Sequence, residues 1–190
     1  MTFLLLMGYG SIAQKFSASG VVGYASPKGD TFEYDEGTGG AMGITYTADV
    51  LYYLPNFDDK LAVGLVYNGS LLAGGGQSGG FLNVDLYSLD LYGVKAQYRF
   101  FKSKVSPFVG VSTGLSKLTT PEVSINGEVA VTEQNSFSLG LAPEFGIALG
   151  NFKLAAIFYT PMKYNTWDSE KKTAGALQFV LGYNFPISFN

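Results

Sequence analysis

Large apolar side chains alternate with small or polar ones along most of this chain, with a period of two residues. One clear stretch carries Tyr92, Val94, Ala96, Tyr98 and Phe100 on one phase, with glycine, lysine, glutamine and arginine between them. Side chains of a β-strand point alternately to opposite faces, so the pattern predicts strands with one apolar and one polar face. Eight such strands can be drawn, at residues 15–26, 41–54, 60–72, 83–101, 105–116, 135–149, 151–163 and 174–189.

The connections between these predicted strands alternate in length. Those after the second, fourth and sixth strands are tight turns, whereas those after the odd-numbered strands are long and polar. Short turns at one end and long loops at the other are typical of an outer-membrane barrel with both termini in the periplasm. The pattern predicts an all-β fold, an eight-stranded antiparallel up-and-down transmembrane β-barrel. The facing of the seventh strand stays open, because both of its phases are apolar.

The composition favours a chain that crosses a membrane with strands. Charged residues are 14 % of the chain, against about 25 % in soluble domains, while glycine, phenylalanine and tyrosine number 25, 15 and 13. After the first dozen residues, no apolar run approaches the ~20 residues that a membrane helix needs. A closed barrel is the other structure that pairs every backbone group within lipid. The net charge of −3 argues against nucleic-acid binding.

The first fourteen residues are typical of the second half of a secretory signal. Phe3 to Met7 supply an apolar segment, and Ser11 and Ala13 provide the small residues of a cleavage site. The basic residues that normally precede the apolar segment are missing. We expect a signal peptide remnant at residues 1–13 and a barrel domain at residues 14–190. A short hydrophobic N-terminal strand is the alternative.

The two faces of the predicted strands indicate a barrel with an apolar exterior. The polar phase is rich in glycine, serine and alanine, which suit a narrow lumen and would fill the core of a soluble barrel poorly. The large residues on the other phase would then face lipid. Aromatic residues near the short turns are expected to form a girdle at the membrane interface. They are Tyr52, Tyr53, Tyr98, Phe100, Phe101, Tyr183 and Phe185.

Four charged residues fall on the polar phase, namely Asp49, Lys95, Arg99 and Glu144. A lone charge in a narrow interior of low dielectric is costly, so these groups are expected to pair. We predict a lumen charge network among the four, with Lys153 as a further candidate. A structural role is the simpler interpretation, and a gated path for protons or ions is the alternative. Eight strands leave too little room for a large diffusion pore.

Two short segments near strand ends can be recognised as motifs. Pro107-Phe108-Val109-Gly110-Val111 opens the fifth predicted strand, and Leu181-Gly182-Tyr183-Asn184-Phe185 alternates aromatic residues in the last one. On these segments the chain resembles the OmpA/OmpX-type family of small outer-membrane barrels, whose C-terminal insertion signal the second segment matches. The chain continues to Asn190, so the last strand could end at Phe185 or at Phe189. The resemblance implies the outer membrane of a Gram-negative bacterium, with lipid, lipopolysaccharide and the barrel-insertion machinery as partners.

Enzymatic chemistry finds little support in the sequence. Enzymes among the small outer-membrane barrels, such as lipid A deacylases, palmitoyl transferases, phospholipases and surface proteases, use a histidine as general base. This chain has no histidine and no cysteine, which removes those mechanisms and the usual imidazole or thiolate metal sites. A Ser–Lys arrangement at Ser116 and Lys117 remains formally possible. We predict no enzyme, no cofactor and no metal site.

The long loops are the remaining candidates for function. The first contains Phe32 and Tyr34 among acidic residues, the second is a glycine-rich segment interpreted as a flexible surface loop, and the fourth contains Trp167. Exposed aromatic rings often anchor binding surfaces, so these three are candidate contacts for an extracellular ligand, and a plain solvated loop face is the alternative. We therefore expect a non-enzymatic outer-membrane barrel with a structural or adhesive role. The competing hypotheses are a narrow channel or carrier for a small solute and a soluble lipocalin-type barrel.

Overall fold

Eight long antiparallel strands close into a single barrel. The computed structural model describes residues 15–32, 42–78, 81–121, 123–125, 128–131, 133–165 and 171–188. Its strands are β1 (Lys15–Lys28), β2 (Met42–Tyr53), β3 (Leu61–Ser78), β4 (Phe81–Arg99), β5 (Val105–Thr120), β6 (Val123–Ile125), β7 (Glu128–Val131), β8 (Gln134–Leu149), β9 (Phe152–Asn165) and β10 (Lys171–Ser188).

The barrel strands follow one another in chain order. Each pairs with the next one along the chain, β5 pairs with β8, and β10 pairs back onto β1, while β6 and β7 form a separate hairpin. The predicted eight-stranded antiparallel up-and-down barrel is confirmed. Two short 3-10 helices, Asp30–Phe32 and Pro55–Phe57, follow β1 and β2. Among the described residues, no helix is long and apolar enough to cross a membrane.

The two ends of the barrel differ as the loop lengths predict. Tight turns join β2 to β3, β4 to β5 and β8 to β9 at what we call the short-turn end, where Lys15 also pairs with Ser188. At the β8–β9 turn, Gly150 adopts a φ of 63°, a left-handed conformation that glycine reaches without steric cost. The opposite end, called the long-loop end, carries the other four connections.

Regular pairing extends further towards the long-loop end than the sequence indicates. β3 and β4 pair continuously from Leu61 opposite Tyr98 to Ser78 opposite Phe81, through the glycine-rich segment interpreted as a flexible loop. The loop predicted at residues 117–134 contains the β6–β7 hairpin. Glycine has a low strand propensity, so the alternating pattern fades before the pairing ends. β10 runs past Phe185 to Ser188, and Phe189 lies outside the described residues.

The outer face of the barrel is apolar on every long strand. Alternate residues are exposed, and one large apolar side chain from each strand is between 41 % and 69 % exposed. In β9, Lys153 and Ile157 point inward while Leu154 and Phe158 point outward, which resolves the facing of the seventh predicted strand. The eight outward side chains are Val22, Ile44, Leu65, Val94, Val109, Phe145, Phe158 and Phe179.

Aromatic rings pack against each other around the short-turn end. Tyr98 and Phe100 meet edge-on at 5.5 Å between ring centroids, and Tyr183 lies 4.8 Å from Phe185. Tyr53 was expected in this girdle, but its side chain points into the barrel and is 9 % exposed. The reason is the strict alternation of the strand, because consecutive residues cannot both face outward.

Candidate functional site

Four charged side chains meet inside the barrel, one each from β2, β4, β8 and β9. The Lys95 ammonium lies 2.9 Å from Asp49 Oδ2 and 2.5 Å from Glu144 Oε2. Lys153 Nζ lies 2.6 Å from Glu144 Oε1 and 3.9 Å from Asp49 Oδ2. All four side chains are only 1–3 % exposed, so this charged cluster closes the lumen at its level.

The charged cluster is electrically balanced, with two ammonium and two carboxylate groups. Further contacts complete it: the Ser19 hydroxyl donates to Asp49 Oδ1 at 2.6 Å, and Lys153 Nζ lies 5.2 Å from the centre of the Phe108 ring. Buried charges are tolerated only when their partners and hydrogen bonds are nearly complete, which is the case here. The residues join the neighbouring strands β8 and β9 to β2 and β4, and thereby tie opposite walls of the barrel together.

Arg99 lies outside this cluster, contrary to the sequence-based expectation. Its guanidinium sits 5.2 Å from the centre of the Tyr53 ring at the short-turn end. Arg99 is two inward positions further along β4 than Lys95, so its side chain reaches the rim of the lumen. There it lines an open cavity of about 520 Å³ together with Ser17, Asp59 and other residues of the short-turn end. Lys153, the further candidate from the sequence, takes the fourth place in the cluster.

A neutral hydrogen-bonded layer lies next to the charged cluster on the side of the long-loop end. The side-chain amides of Asn68 and Gln178 bond reciprocally at 2.9 and 3.0 Å, joining β3 to β10 across the lumen. Asn68 also donates to Thr47 Oγ1 at 2.7 Å, and Gln178 donates to Ser70 Oγ at 3.0 Å. Both amides fall on the polar phase, but the sequence alone gave no indication that they pair.

The lumen near the long-loop end is largely apolar. The side chains that fill this part of the lumen are fully or almost fully buried. Among them, the Ser116 hydroxyl is hydrogen-bonded to the hydroxyls of Tyr159 and Tyr164. Lys117 follows Ser116 on β5 and points to the other face of the strand, so the Ser–Lys arrangement does not form. We call this the apolar layer; its members include Phe32, Leu72, Leu89, Leu91 and Leu118.

The three candidate loop contacts have different outcomes. Tyr34 and Trp167 lie outside the described residues. Phe32 is only 5 % exposed and packs edge-on against Tyr87 at 5.3 Å, so its ring belongs to the interior and offers little surface to a ligand. It is held there because the Thr31 hydroxyl donates to the Thr173 carbonyl at 2.9 Å, which fastens the base of the first loop to β10.

A small polar group lies on the outward phase of β2, β3 and β4, where the sequence analysis singled out nothing. Asp90 accepts hydrogen bonds from Tyr67 and Ser88, both at 2.9 Å, and is 7 % exposed. The Tyr67 hydroxyl also lies 3.3 Å from that of Tyr46. The carboxylate is thus shielded by hydroxyls, and Lys117 of β5 lies opposite Asp90 in the strand register. No three histidine, cysteine, aspartate or glutamate side chains of the described residues are placed to hold a metal ion.

This chain is similar to known proteins in its fold. No protein-family model and no curated protein sequence matches the chain. Neisserial surface protein A superposes with a TM-score of 0.57 at 18 % identity, over 90 % of this chain and 97 % of its own. This chain has the fold of the small outer-membrane β-barrels.

Two further barrels cover this chain almost completely. The attachment invasion locus protein Ail of Yersinia pestis has a TM-score of 0.49 at 16 % identity, over 92 % of this chain and 100 % of its own. The outer membrane protein OprG of Pseudomonas aeruginosa has a TM-score of 0.42 at 17 % identity, over 93 % and 98 %.

Proposed function

We propose that this protein is a non-enzymatic integral outer-membrane barrel that presents a binding surface at its long-loop end. In this proposal both termini lie in the periplasm, and lipid and lipopolysaccharide surround the wall. The barrel-insertion machinery would recognise β10, and an extracellular ligand would meet the long-loop end. The observation that carries the proposal is the inverted polarity of the barrel, with a charged interior inside an apolar wall.

The inverted polarity is difficult to reconcile with a soluble barrel. Leu65, Phe145 and Val22 are each more than 60 % exposed and belong to a band that runs around all eight strands. Burying one such side chain is worth about 1.5–3 kcal/mol, so a band of this size in water would drive aggregation. A lipid environment removes that penalty, which supports a membrane location over a lipocalin-type barrel.

The length of the strands supports a surface role. A strand needs about ten residues to cross the hydrocarbon layer, whereas β3, β4 and β10 have 18, 19 and 18 residues. The surplus lies at the long-loop end, where the β3–β4 hairpin continues to Ser78 and Phe81. A hydrogen-bonded extension of this kind would present its loop at a fixed height above the membrane, which suits recognition of another surface.

The first experiment tests the membrane barrel itself. The full chain, expressed in a Gram-negative host, is extracted from carbonate-washed outer membranes and compared on a gel before and after boiling. We expect it to stay in the membrane pellet and to migrate differently when unboiled. A soluble protein without a mobility shift would contradict the proposal and favour the lipocalin-type hypothesis. A C-terminal tag that proteases reach on intact cells would contradict the periplasmic termini.

The second experiment separates a binding surface from a purely structural role. The β3–β4 hairpin is shortened by replacing residues 74–85 with a two-residue turn, which leaves the membrane-spanning part of both strands intact. Cells that carry equal amounts of folded barrel are then tested for adherence to immobilised extracellular-matrix proteins and glycans. We expect the shortened barrel to adhere less. Equal adherence of both barrels, or none by either, would contradict a binding role for this hairpin.

A narrow channel is the second candidate, and the open cavity at the short-turn end is the observation in its favour. The charged cluster stands against it, because four buried side chains block the lumen directly above that cavity. We expect the purified barrel to be silent in planar bilayers. A steady conductance that survives proteolytic trimming of the loops would favour the channel instead.

A further inference from the structure

Within the described strands, the β8–β9 seam is the one whose ladder covers less than half of the strand length. β8 pairs with β5 along its whole length, from Thr120 opposite Gln134 to Val105 opposite Leu149. It pairs with β9 only from Glu144 opposite Ile157 to the turn. Residues 134–143 and 158–165 are all described, and no ladder pair joins them. The half of the seam nearer the long-loop end therefore lacks the regular backbone ladder.

Pro143 explains where the ladder stops. The Thr160 hydroxyl of β9 donates to the Leu141 carbonyl, so the backbone groups of Leu141 face β9. Backbone groups of alternate residues face the same neighbour, so Pro143 also turns its nitrogen towards β9. Proline has no N–H to donate, and the ladder ends at Glu144, the residue next to it.

A bulge in β9 extends the interruption. Ala174 pairs with Met162 and Ala176 pairs with Tyr159, which leaves two residues of β9, at positions 160 and 161, opposite Gly175 alone. A Cβ atom on Gly175 would lie 2.5 Å from the Tyr159 carbonyl oxygen, so the bulge depends on glycine there. Bulges bend the strand that carries them and disrupt the local ladder. The second residue of the bulge is Pro161, which again has no N–H.

Side-chain hydroxyls hold the seam together in place of the ladder. Thr160 donates to the Leu141 carbonyl, and Ser136 donates to the Asn165 carbonyl. Both contacts join residues that are in the same register as the β8–β9 ladder near the turn, so the two strands remain side by side. A side-chain hydroxyl can rotate away without moving the backbone. Opening this stretch therefore costs less than opening a wall that is closed by a full ladder.

The seam separates two apolar regions. On its outer side Leu139 and Phe158 are 73 % and 41 % exposed. On its inner side β8 presents the small residues Ser136, Ser138, Gly140 and Ala142. The apolar layer begins directly behind Gly140, with Leu91 in contact distance of it. A polar lumen behind the seam would repel hydrocarbon, whereas this layer would accept it.

We propose that the β8–β9 seam is a lateral opening through which a hydrocarbon chain passes from the surrounding membrane into the apolar layer. The proposal rests on the membrane location proposed above. Its ligand class is a single acyl chain, carried either by a membrane phospholipid or by a free fatty acid. The charged cluster forms the floor of this site and prevents the chain from passing on to the short-turn end.

Photo-crosslinking tests whether acyl chains reach the interior. Tyr164, buried in the apolar layer beside the seam, is replaced by p-benzoylphenylalanine, and the barrel is irradiated in phosphatidylcholine vesicles that contain oleate. We expect covalent adducts whose masses show whether the phospholipid or the oleate was captured. Phe108 is equally buried but lies against Lys153 on the short-turn side of Glu144, beyond the floor of the proposed site. It takes the same substitution as the control and should give no adduct.

A disulfide across the seam tests the route. The chain has no cysteine, so a Leu141→Cys/Thr160→Cys pair forms a single defined bond that locks the seam. The matched pair is Leu115→Cys/Leu139→Cys, which joins β8 to its other neighbour at a similar height. We expect the oxidised seam pair to reduce adduct formation at least tenfold and a reductant to restore it. The control pair should have no effect in either state.

The outcomes are distinguishable from failure of the membrane barrel, because each sample is first checked for the mobility shift between unboiled and boiled protein. A folded barrel without an adduct at Tyr164 would overturn the proposal, and so would an adduct that persists when the seam is locked. The latter would show that acyl chains arrive from the long-loop end. If the Tyr164 variant does not fold, Met162, which packs against the same layer, takes its place.

Discussion

Replacing Glu144 by glutamine tests whether the charged cluster holds the barrel together. The carboxylate of Glu144 is the partner of both lysines, at 2.5 Å from Lys95 and 2.6 Å from Lys153. Glutamine keeps the size and one acceptor oxygen but removes the charge. Two ammonium groups then share the single carboxylate of Asp49, and the buried cluster carries a net positive charge.

The size of the effect follows from burial. Removing one partner of a buried ion pair costs about 3–5 kcal/mol, because an uncompensated charge stays in a medium of low dielectric. The remaining acceptor oxygen of glutamine places this variant at the lower end, about 3 kcal/mol. That is about a hundredfold change in the unfolding equilibrium. An exposed pair gives the comparison: Lys102 and Asp58 lie 3.8 Å apart and are more than half exposed, so Lys102→Ala should cost less than about 1 kcal/mol.

The assay is equilibrium unfolding by urea in phospholipid vesicles, with the folded fraction measured from the unboiled band on a gel. The Glu144→Gln/Lys153→Met double variant restores neutrality and keeps the contact between Asp49 and Lys95 at 2.9 Å. It should therefore be more stable than Glu144→Gln alone, although it carries one more substitution. The charged cluster does not stabilise the barrel if Glu144→Gln unfolds at the same urea concentration as the parent. The same conclusion follows if Lys153→Met only adds to the loss of stability caused by Glu144→Gln.

Two further substitutions examine other parts of the interior. Asn68→Leu should lower the free energy of unfolding by about 1–3 kcal/mol because it leaves the Gln178 amide without its partner. In the same urea titration, the Asn68→Leu/Gln178→Leu variant should recover most of that loss. An equal or larger loss in the double variant would show that the two amides are not coupled. Phe32→Ala should lower stability by about 3 kcal/mol, as for a core aromatic residue; a loss of ligand binding at unchanged stability would show instead that Phe32 is a surface contact.

The barrel itself could be predicted from the sequence because its signals are local. Alternation with period two needs only neighbouring residues, and it placed Asp49, Lys95 and Glu144 on the inner face correctly. The pairing of these charges could also be anticipated, since the interior of an eight-stranded barrel is too narrow for charges to avoid each other. Lys153 was less certain because both phases of its strand are apolar, so the pattern did not assign its face.

The features that escaped prediction depend on contacts across the barrel. The height of a side chain in the lumen is set by the register between strands, which the sequence does not display. For that reason Arg99 could not be separated from Lys95, and the reciprocal bonds of Asn68 and Gln178 were not foreseen. Phe32 was assigned to a loop surface because the folding of that segment back onto β10 depends on Thr173, more than 140 residues away in sequence.

The lumen and the wall change character at the same level. Between the charged cluster and the turn, β8 and β9 are joined by a full ladder, and Lys153 and Glu144 from these same two strands are bonded to each other. Beyond Glu144 the ladder stops, and past the layer of Asn68 and Gln178 the lumen becomes apolar. Stability is thus concentrated near the short-turn end, where the strands are tied by charge as well as by backbone. Opening of the proposed seam would break the hydroxyl contacts of Thr160 and Ser136 but leave the ladder and the ion pairs nearer the turn in place, so the barrel would stay folded.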